Sequence, residues 1–79
     1  MYTEAALRNI VQKCIWCTEL IIPVSFEGAH AQFKLADTRG FPVRVSNECL
    51  QDLMKYGFAE VAITVYNGEV FLDIYYELD

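Results

Sequence analysis

The first apolar pattern along the chain is helical. Leu7, Val11 and Cys14 recur every three or four residues, which places them on one side of an α-helix. Thr3 precedes this stripe and can cap the helix, and Glu4 suits its positive N-terminal end. The pattern predicts a helix over residues 3–17.

A second, shorter helical pattern lies in the middle of the chain. Leu50, Leu53 and Met54 fall on one side, and Ser46 or Asn47 can serve as the N-cap. A glycine at position 57 suits the left-handed conformation that often ends a helix. We expect this helix to cover residues 47–56.

Three segments between the helices have strand character. Residues 20–26 are rich in β-branched and aromatic side chains, but Pro23 cannot donate to a ladder, so this strand should lie at a sheet edge or carry a bulge. Residues 29–35 alternate between apolar and polar positions, as in a strand with one wet face. Turn residues at 37–40 then lead to a short predicted strand at 41–45.

The strongest local signal is the dipeptide Asn67-Gly68, which favours a two-residue type I′ hairpin turn. It predicts that residues 58–66 pair with residues 69–78 in an antiparallel hairpin. The resulting order is α-β-β-β-α-β-β. The fold class is therefore α+β, a single domain over residues 1–79, with two helices packed on one face of an antiparallel sheet of about five strands.

A two-residue turn also fixes which residues of the hairpin share a face, because Tyr66 must lie opposite Glu69. One face then collects six apolar side chains, which we expect to form core: Val61, Ile63, Val65, Val70, Leu72 and Ile74. The other face collects Glu60, Ala62, Thr64, Tyr66, Glu69, Phe71, Asp73, Tyr75 and Glu77.

Charge is unevenly distributed along the chain. Residues 1–55 contain six acids and six bases, whereas residues 56–79 contain five acids and no base, so the whole net charge of -5 belongs to the last third. This argues against direct binding of nucleic acid or of an anionic membrane through that third, and it favours a basic partner.

The outward face of the hairpin combines this charge with aromatic side chains. Its carboxylates are Glu60, Glu69, Asp73 and Glu77, interleaved with Tyr66, Phe71 and Tyr75. Residues four apart along a strand are about 13 Å apart and neighbouring strands about 5 Å, so the carboxylates imitate in outline the phosphates of a duplex. The alternative is an ordinary solvated sheet face whose aromatics hold the strands together.

In size, acidity and one-sided charge the chain resembles the phage-encoded anti-CRISPR proteins that act as DNA mimics. The resemblance rests on the C-terminal acids Glu60, Glu69, Asp73, Glu77 and Asp79. It implies a protein-binding inhibitor that occludes the basic nucleic-acid-binding groove of a partner complex, without turnover and without a cofactor. The expected contact surface is Glu60, Tyr66, Glu69, Phe71, Asp73, Tyr75, Glu77 and Asp79.

Two other functions fit the sequence. With 54% hydrophobic residues the chain has more apolar side chains than a thin core can hide, so Phe71, Tyr75 and Tyr76 could bury against another protein or in a homodimer. Alternatively, four residues have the composition of a Cys3His zinc site or a small redox module: Cys14, Cys17, His30 and Cys49. Because Cys14 lies on the apolar helical stripe, we expect reduced, metal-free thiols instead.

Several classes of function are disfavoured. The chain has no Gly-rich phosphate loop, no G-x-S-x-G and no H-E-x-x-H, and its lone histidine lies on a predicted wet face, so we do not expect an enzyme. No apolar run approaches the ~18 residues of a membrane span, and the first residues do not resemble a leader. The sequence therefore predicts a cytoplasmic protein, in the host cytoplasm if it is phage-encoded.

Overall fold

Two helices and a four-stranded antiparallel sheet form the part of the chain that a computed structural model describes, residues 2–16 and 18–77. The elements in chain order are α1 (Glu4–Cys14), β1 (Leu20–Glu27), β2 (His30–Ala36), α2 (Asn47–Met54), β3 (Glu60–Tyr66) and β4 (Glu69–Tyr75). The predicted α+β class is confirmed, with the order α-β-β-α-β-β and four strands in the described residues rather than about five.

Side-chain hydroxyls begin both helices. Thr3 Oγ1 accepts a hydrogen bond of 3.1 Å from the backbone N–H of Ala6, and Ser46 Oγ accepts one of 3.3 Å from the backbone N–H of Cys49. Each bond satisfies an N–H of the first turn that has no partner within the helix. The predicted starts of both helices are thereby confirmed.

Both helices end earlier than predicted. The first ends at Cys14 because Ile15 leaves helical geometry, at φ -97° and ψ 76°, and its side chain is buried in the core. The second ends at Met54, and the chain then turns through Gly57 at φ 82°, a conformation that glycine adopts without strain. Neither helix of the described residues is long and apolar enough to span a membrane.

The segment after β2 is irregular, so the prediction of a strand at 41–45 is wrong. Pro42 has no N–H to donate to a ladder. Val43 and Val45 nevertheless pack against the core. Two of the apolar side chains that suggested a strand are thus half-buried from a loop that leads to α2, whereas Phe41 is 60% exposed.

The strands lie in the order β1-β2-β4-β3. The first strand is at an edge, and its register shifts between Pro23 and Ser25, so both consequences expected of Pro23 are confirmed. The order also places β2 directly beside β4, with Gln32 opposite Asp73. No local pattern in the sequence predicted this pairing.

The hairpin of β3 and β4 has the predicted turn and register. Asn67 and Gly68 have φ angles of 50° and 76°, as a type I′ turn requires. Tyr66 lies opposite Glu69, and every further pair along the two strands matches the prediction.

Both helices pack on one side of the sheet, the inner face. The buried core consists of Leu7, Val11, Cys14, Ile15, Ala31, Phe33, Leu35, Cys49, Leu53, Phe58, Leu72, Ile74 and Tyr76. Strand residues alternate between faces, so the side chains between these positions lie on the other side of the sheet.

Most of the hairpin residues expected in the core are there. Leu72 and Ile74 are fully buried, and three others are half-buried against the core: Val61, Ile63 and Val70. Val65 is 67% exposed, so the prediction for this residue is wrong. It lies beside the turn on an edge strand and does not pack against the core cluster.

Candidate functional site

The candidate site is the sheet face opposite the helices, called here the open face. Its strand residues are Leu20, Ile22, Ser25 and Glu27 of β1, His30, Gln32, Lys34 and Ala36 of β2, Glu69, Phe71, Asp73 and Tyr75 of β4, and Glu60, Ala62, Thr64 and Tyr66 of β3. Many of these side chains are exposed, because both helices pack on the inner face.

At the centre of the open face lies Asp73, which is only 6% exposed. One carboxylate oxygen, Oδ1, lies 2.7 Å from Nε2 of His30 and accepts a hydrogen bond of 3.1 Å from Nε2 of Gln32. The other, Oδ2, accepts a hydrogen bond of 3.3 Å from the hydroxyl of Thr64. These partners replace the water that a carboxylate would lose on burial.

The position of Asp73 corrects one expectation for the acidic surface. The sequence placed Asp73 correctly on the outward face, but as a solvated carboxylate available for contact. Two long polar side chains of β2, His30 and Gln32, cover it because β2 is the neighbour of β4. Asp73 therefore contributes charge to the open face from beneath its surface.

The same network fixes an aromatic pair. The imidazole of His30 stacks on the ring of Tyr75, with centroids 4.4 Å apart and planes 6° from parallel. The two residues are opposite one another on β2 and β4, and the ring nitrogen that faces Asp73 holds the imidazole in place. The pair forms a flat, partly exposed patch at the end of the sheet where β4 finishes.

The open face also carries a cation, which the hairpin alone did not reveal. Nζ of Lys34 lies 3.0 Å from a carboxylate oxygen of Glu69, and both side chains remain partly exposed. The last third of the chain contains no base, but the alternation of β2 brings Lys34 to this face, so the acidic surface is not free of cations. An exposed pair of this kind contributes about 0–1 kcal/mol to stability.

On the open face and directly after β4, three exposed carboxylates have no ion pair to any described residue: Glu27, Glu60 and Glu77. Glu27 and Glu60 lie at the two ends of one row across the sheet, about 14 Å apart for three strand spacings. His30 and Tyr75 lie between them in the same row. The stacked rings are therefore flanked by acids.

The net charge of the described residues lies on this side of the molecule. The open face, together with Glu77 directly after β4, holds five acids and one lysine: Glu27, Glu60, Glu69, Asp73, Glu77 and Lys34. The other described residues hold five acids and five bases: Glu4, Glu19, Asp37, Glu48, Asp52, Arg8, Lys13, Arg39, Arg44 and Lys55. The rest of the described surface is thus neutral overall, and the open face carries the excess.

Apolar side chains are exposed along the β1 edge of the open face. Leu20 and Ile22 are about two-fifths exposed, at 38% and 42%, and Val24, at the register shift, is 50% exposed. Tyr76, which the sequence proposed as part of an aromatic docking surface, lies instead in the core, where its hydroxyl donates to the backbone carbonyl of Gly28 at 3.0 Å. Tyr66 and Tyr75 are the exposed aromatics of the open face.

The described residues among those proposed for a zinc site do not form one cluster. Cys14 and Cys49 are buried in the core, whereas His30 is on the open face beside Asp73. Cys17 lies outside the described residues, and those described contain no group of three or more metal-binding side chains. Burial raises the pKa of the Cys14 thiol, which disfavours the thiolate that a metal or a redox reaction needs.

Of the predicted contact residues, five are exposed: Glu60, Tyr66, Glu69, Tyr75 and Glu77. Phe71 is half-buried, Asp73 is buried and Asp79 lies outside the described residues. Sequence reasoning missed the contribution of β2, whose alternation already placed His30 and Lys34 on a wet face. Comparison of the chain with models of protein families, with curated proteins and with solved structures finds no match.

Proposed function

We propose that the chain is a protein-binding inhibitor whose open face covers a basic, nucleic-acid-binding groove on a partner. The observation that carries the proposal is the segregation of charge: the open face with Glu77 holds five acids against Lys34 alone, while the remaining described surface is balanced. A groove that holds phosphates is lined by lysine and arginine, and a surface with this charge excess is attracted to it.

The exposed carboxylates and the stacked rings would have different roles in such a complex. Glu27, Glu60 and Glu77 are available for direct contact, and each exposed ion pair contributes little by itself. Together they steer the encounter and set its orientation. The flat pair of His30 and Tyr75 between them offers contact area that needs little further ordering.

Inhibition would follow from occlusion, as in the DNA-mimic inhibitors that the sequence resembles. The bound chain occupies the groove and so competes with nucleic acid, which requires neither turnover nor a cofactor. Since the attraction is electrostatic, affinity should fall as salt is added.

Two variants with the same net charge separate charge placement from charge amount. The first neutralises the exposed acids, as Glu27→Gln, Glu60→Gln and Glu77→Gln. The matched control adds three positive charges to exposed helix positions, as Asn9→Lys, Gln12→Lys and Gln51→Lys. Each variant shifts the net charge of -5 by three, and thermal unfolding checks that both remain folded.

The three proteins are immobilised and used to capture binding proteins from a cell lysate. The expected result is a nucleic-acid-binding protein that the parent and the helix control retain and the open-face variant loses. Equal retention by both variants would contradict the proposal. Equal loss would show that net charge, rather than the open face, governs the binding.

A second candidate function has its own observation. The exposed Leu20, Ile22 and Val24 form an apolar strip at the β1 edge, which suits an adaptor that binds a partner by burial of apolar surface. Such binding is insensitive to salt, and Ile22→Ser would weaken it while the three glutamines would not. Adding Ile22→Ser to the three proteins therefore separates the two functions, because each function predicts a loss of binding in a different variant.

A further inference from the structure

The two edges of the sheet differ in how they are protected. The β1 edge carries Pro23 and a register shift before Ser25, and both features hinder the addition of another strand. The β3 edge has neither. Its seven residues, Glu60–Tyr66, pair with β4 without interruption and contain no proline and no lysine.

The backbone groups at the β3 edge follow from the hairpin turn. A type I′ turn joins the carbonyl of Tyr66 to the N–H of Glu69, so this pair is hydrogen-bonded. Hydrogen-bonded and non-hydrogen-bonded pairs alternate along an antiparallel ladder. The backbone N–H and C=O groups of Val61, Ile63 and Val65 therefore point away from β4, toward the free edge.

The side chains of these three residues are incompletely covered at the β3 edge. Val61 and Ile63 are only half-buried, and Val65 is 67% exposed, although all three belong to the inner face. An additional strand at this edge would continue the inner face and cover them.

We propose that two copies of the chain associate by antiparallel pairing of their β3 strands. The two-fold axis passes through Ile63, which lies opposite Ile63 of the second copy. Val61 then lies opposite Val65 of the second copy, and Glu60 opposite Tyr66 of the second copy. The outward-pointing groups of Val61, Ile63 and Val65 form about six hydrogen bonds between the copies.

Charge within β3 favours a second copy in this orientation. Glu60 is the only charged residue of the strand and lies at its start. Antiparallel pairing therefore places the two Glu60 side chains at opposite ends, about 20 Å apart for six residues. A parallel, in-register pair would place the two carboxylates side by side.

The pairing joins two four-stranded sheets into one of eight strands. Because the axis is perpendicular to the sheet, both open faces point to the same side and the inner faces and their helices to the other. The dimer would therefore double the acidic open face without covering it. This inference does not depend on the proposed function.

The test compares two valine-to-lysine substitutions at exposed edge positions. Val65→Lys places a charge at the pairing edge, and Val24→Lys places the same charge at the β1 edge, where the parent residue is 50% exposed. Sedimentation equilibrium measures the mass of the parent and both variants over a range of concentrations. We expect a dimer for the parent and for Val24→Lys, and at least a tenfold higher dissociation constant for Val65→Lys.

Hydrogen exchange of the parent supplies a second readout that does not depend on the folding of a variant. The amides of Val61, Ile63 and Val65 point to solvent in the monomer and are bonded in the dimer. The exchange of these three amides should slow as protein concentration rises. The exchange rate of the Val24 amide should not depend on protein concentration. A parent that stays monomeric up to about 1 mM, or a Val65→Lys variant that dimerises as tightly as the parent, would overturn the proposal. So would capture at the β3 edge of a strand from another protein by a monomeric parent.

Discussion

Nε2 of His30 lies 2.7 Å from Oδ1 of Asp73 and joins two residues that are 43 positions apart in the chain. The contact exists because β2 pairs with β4, and it turns an acid on the wet face of a hairpin into a buried, hydrogen-bonded group. It also holds the imidazole parallel to the ring of Tyr75. The centre of the open face is thus ordered by a polar network rather than by apolar packing.

The network predicts that Asp73 matters more for stability than the other carboxylates of the open face. Asp73→Ala leaves the donors of His30, Gln32 and Thr64 without their acceptor. We expect a loss of about 1–3 kcal/mol in the free energy of unfolding, measured by urea denaturation. Glu60→Ala, which removes an exposed carboxylate from the same face, should cost no more than about 0.5 kcal/mol. Equal effects of the two substitutions would show that the network does not stabilise the fold.

The hairpin turn gives a second prediction. Gly68 has a φ of 76°, and a Cβ at this position would meet no atom within 4 Å. The cost of Gly68→Ala is therefore conformational, and we expect a loss of about 1–2 kcal/mol in thermal or urea unfolding. A neutral or stabilising substitution would mean that the turn adopts another geometry in solution.

The buried thiol of Cys14 predicts a dependence on alkaline pH. Burial, followed by the nearby charge of Asp52, raises the pKa of Cys14 above its ordinary value of 9.0. The unfolded chain therefore ionises this thiol at lower pH than the folded chain does. The contribution of the protonated thiol to stability is complete below pH 9 and is lost as pH rises through the folded pKa.

The measurement is the free energy of unfolding between neutral pH and the alkaline limit of folding, for the parent and for Cys14→Ala. Above pH 9 the parent should lose stability more steeply than the variant. Parallel curves would contradict the burial of an un-ionised thiol. A thiol reagent added at neutral pH should likewise modify Cys14 more slowly in the folded chain than in urea.

The loop after β2 contains a local pair that can be tested by titration. Hydrogen bonds from the guanidinium and backbone of Arg39 lower the pKa of the Asp37 carboxyl. Arg39→Ala should move that pKa upward, toward its ordinary range, as followed by NMR of the side-chain carbonyl. The backbone N–H remains in the variant, so the return should be partial. The stability that the pair supplies is present at neutral pH and is lost as pH falls through the lowered pKa of Asp37.

Local chemistry explains what the sequence predicted well. The Asn67-Gly68 turn fixes the register of the hairpin, and the hydroxyls of Thr3 and Ser46 fix the starts of the helices. Each of these features depends on residues within a few positions of one another, so a single sequence contains the information.

The features that the sequence did not predict depend on pairing between distant segments of the chain. Because β2 pairs with β4, side chains of β2 cover Asp73, and Lys34 lies beside Glu69. No local pattern in the sequence indicates which strands are neighbours. The exposure of Val65 has the same origin, because an inward-facing residue is buried only where another element lies over it. The acidic face could be predicted from the sequence, but not the groups that cover part of it.

The most direct test of the central claim is competition with nucleic acid on the captured partner. A fluorescent duplex is bound to the partner protein, the parent chain is added at increasing concentration, and fluorescence anisotropy reports the bound duplex at several salt concentrations. We expect the chain to displace the duplex, and the chain concentration needed for half-displacement should rise as salt is added. The same concentration should be higher for the variant that combines Glu27→Gln, Glu60→Gln and Glu77→Gln. Formation of a ternary complex in which the duplex stays bound would contradict the claim that the open face occupies a nucleic-acid-binding groove.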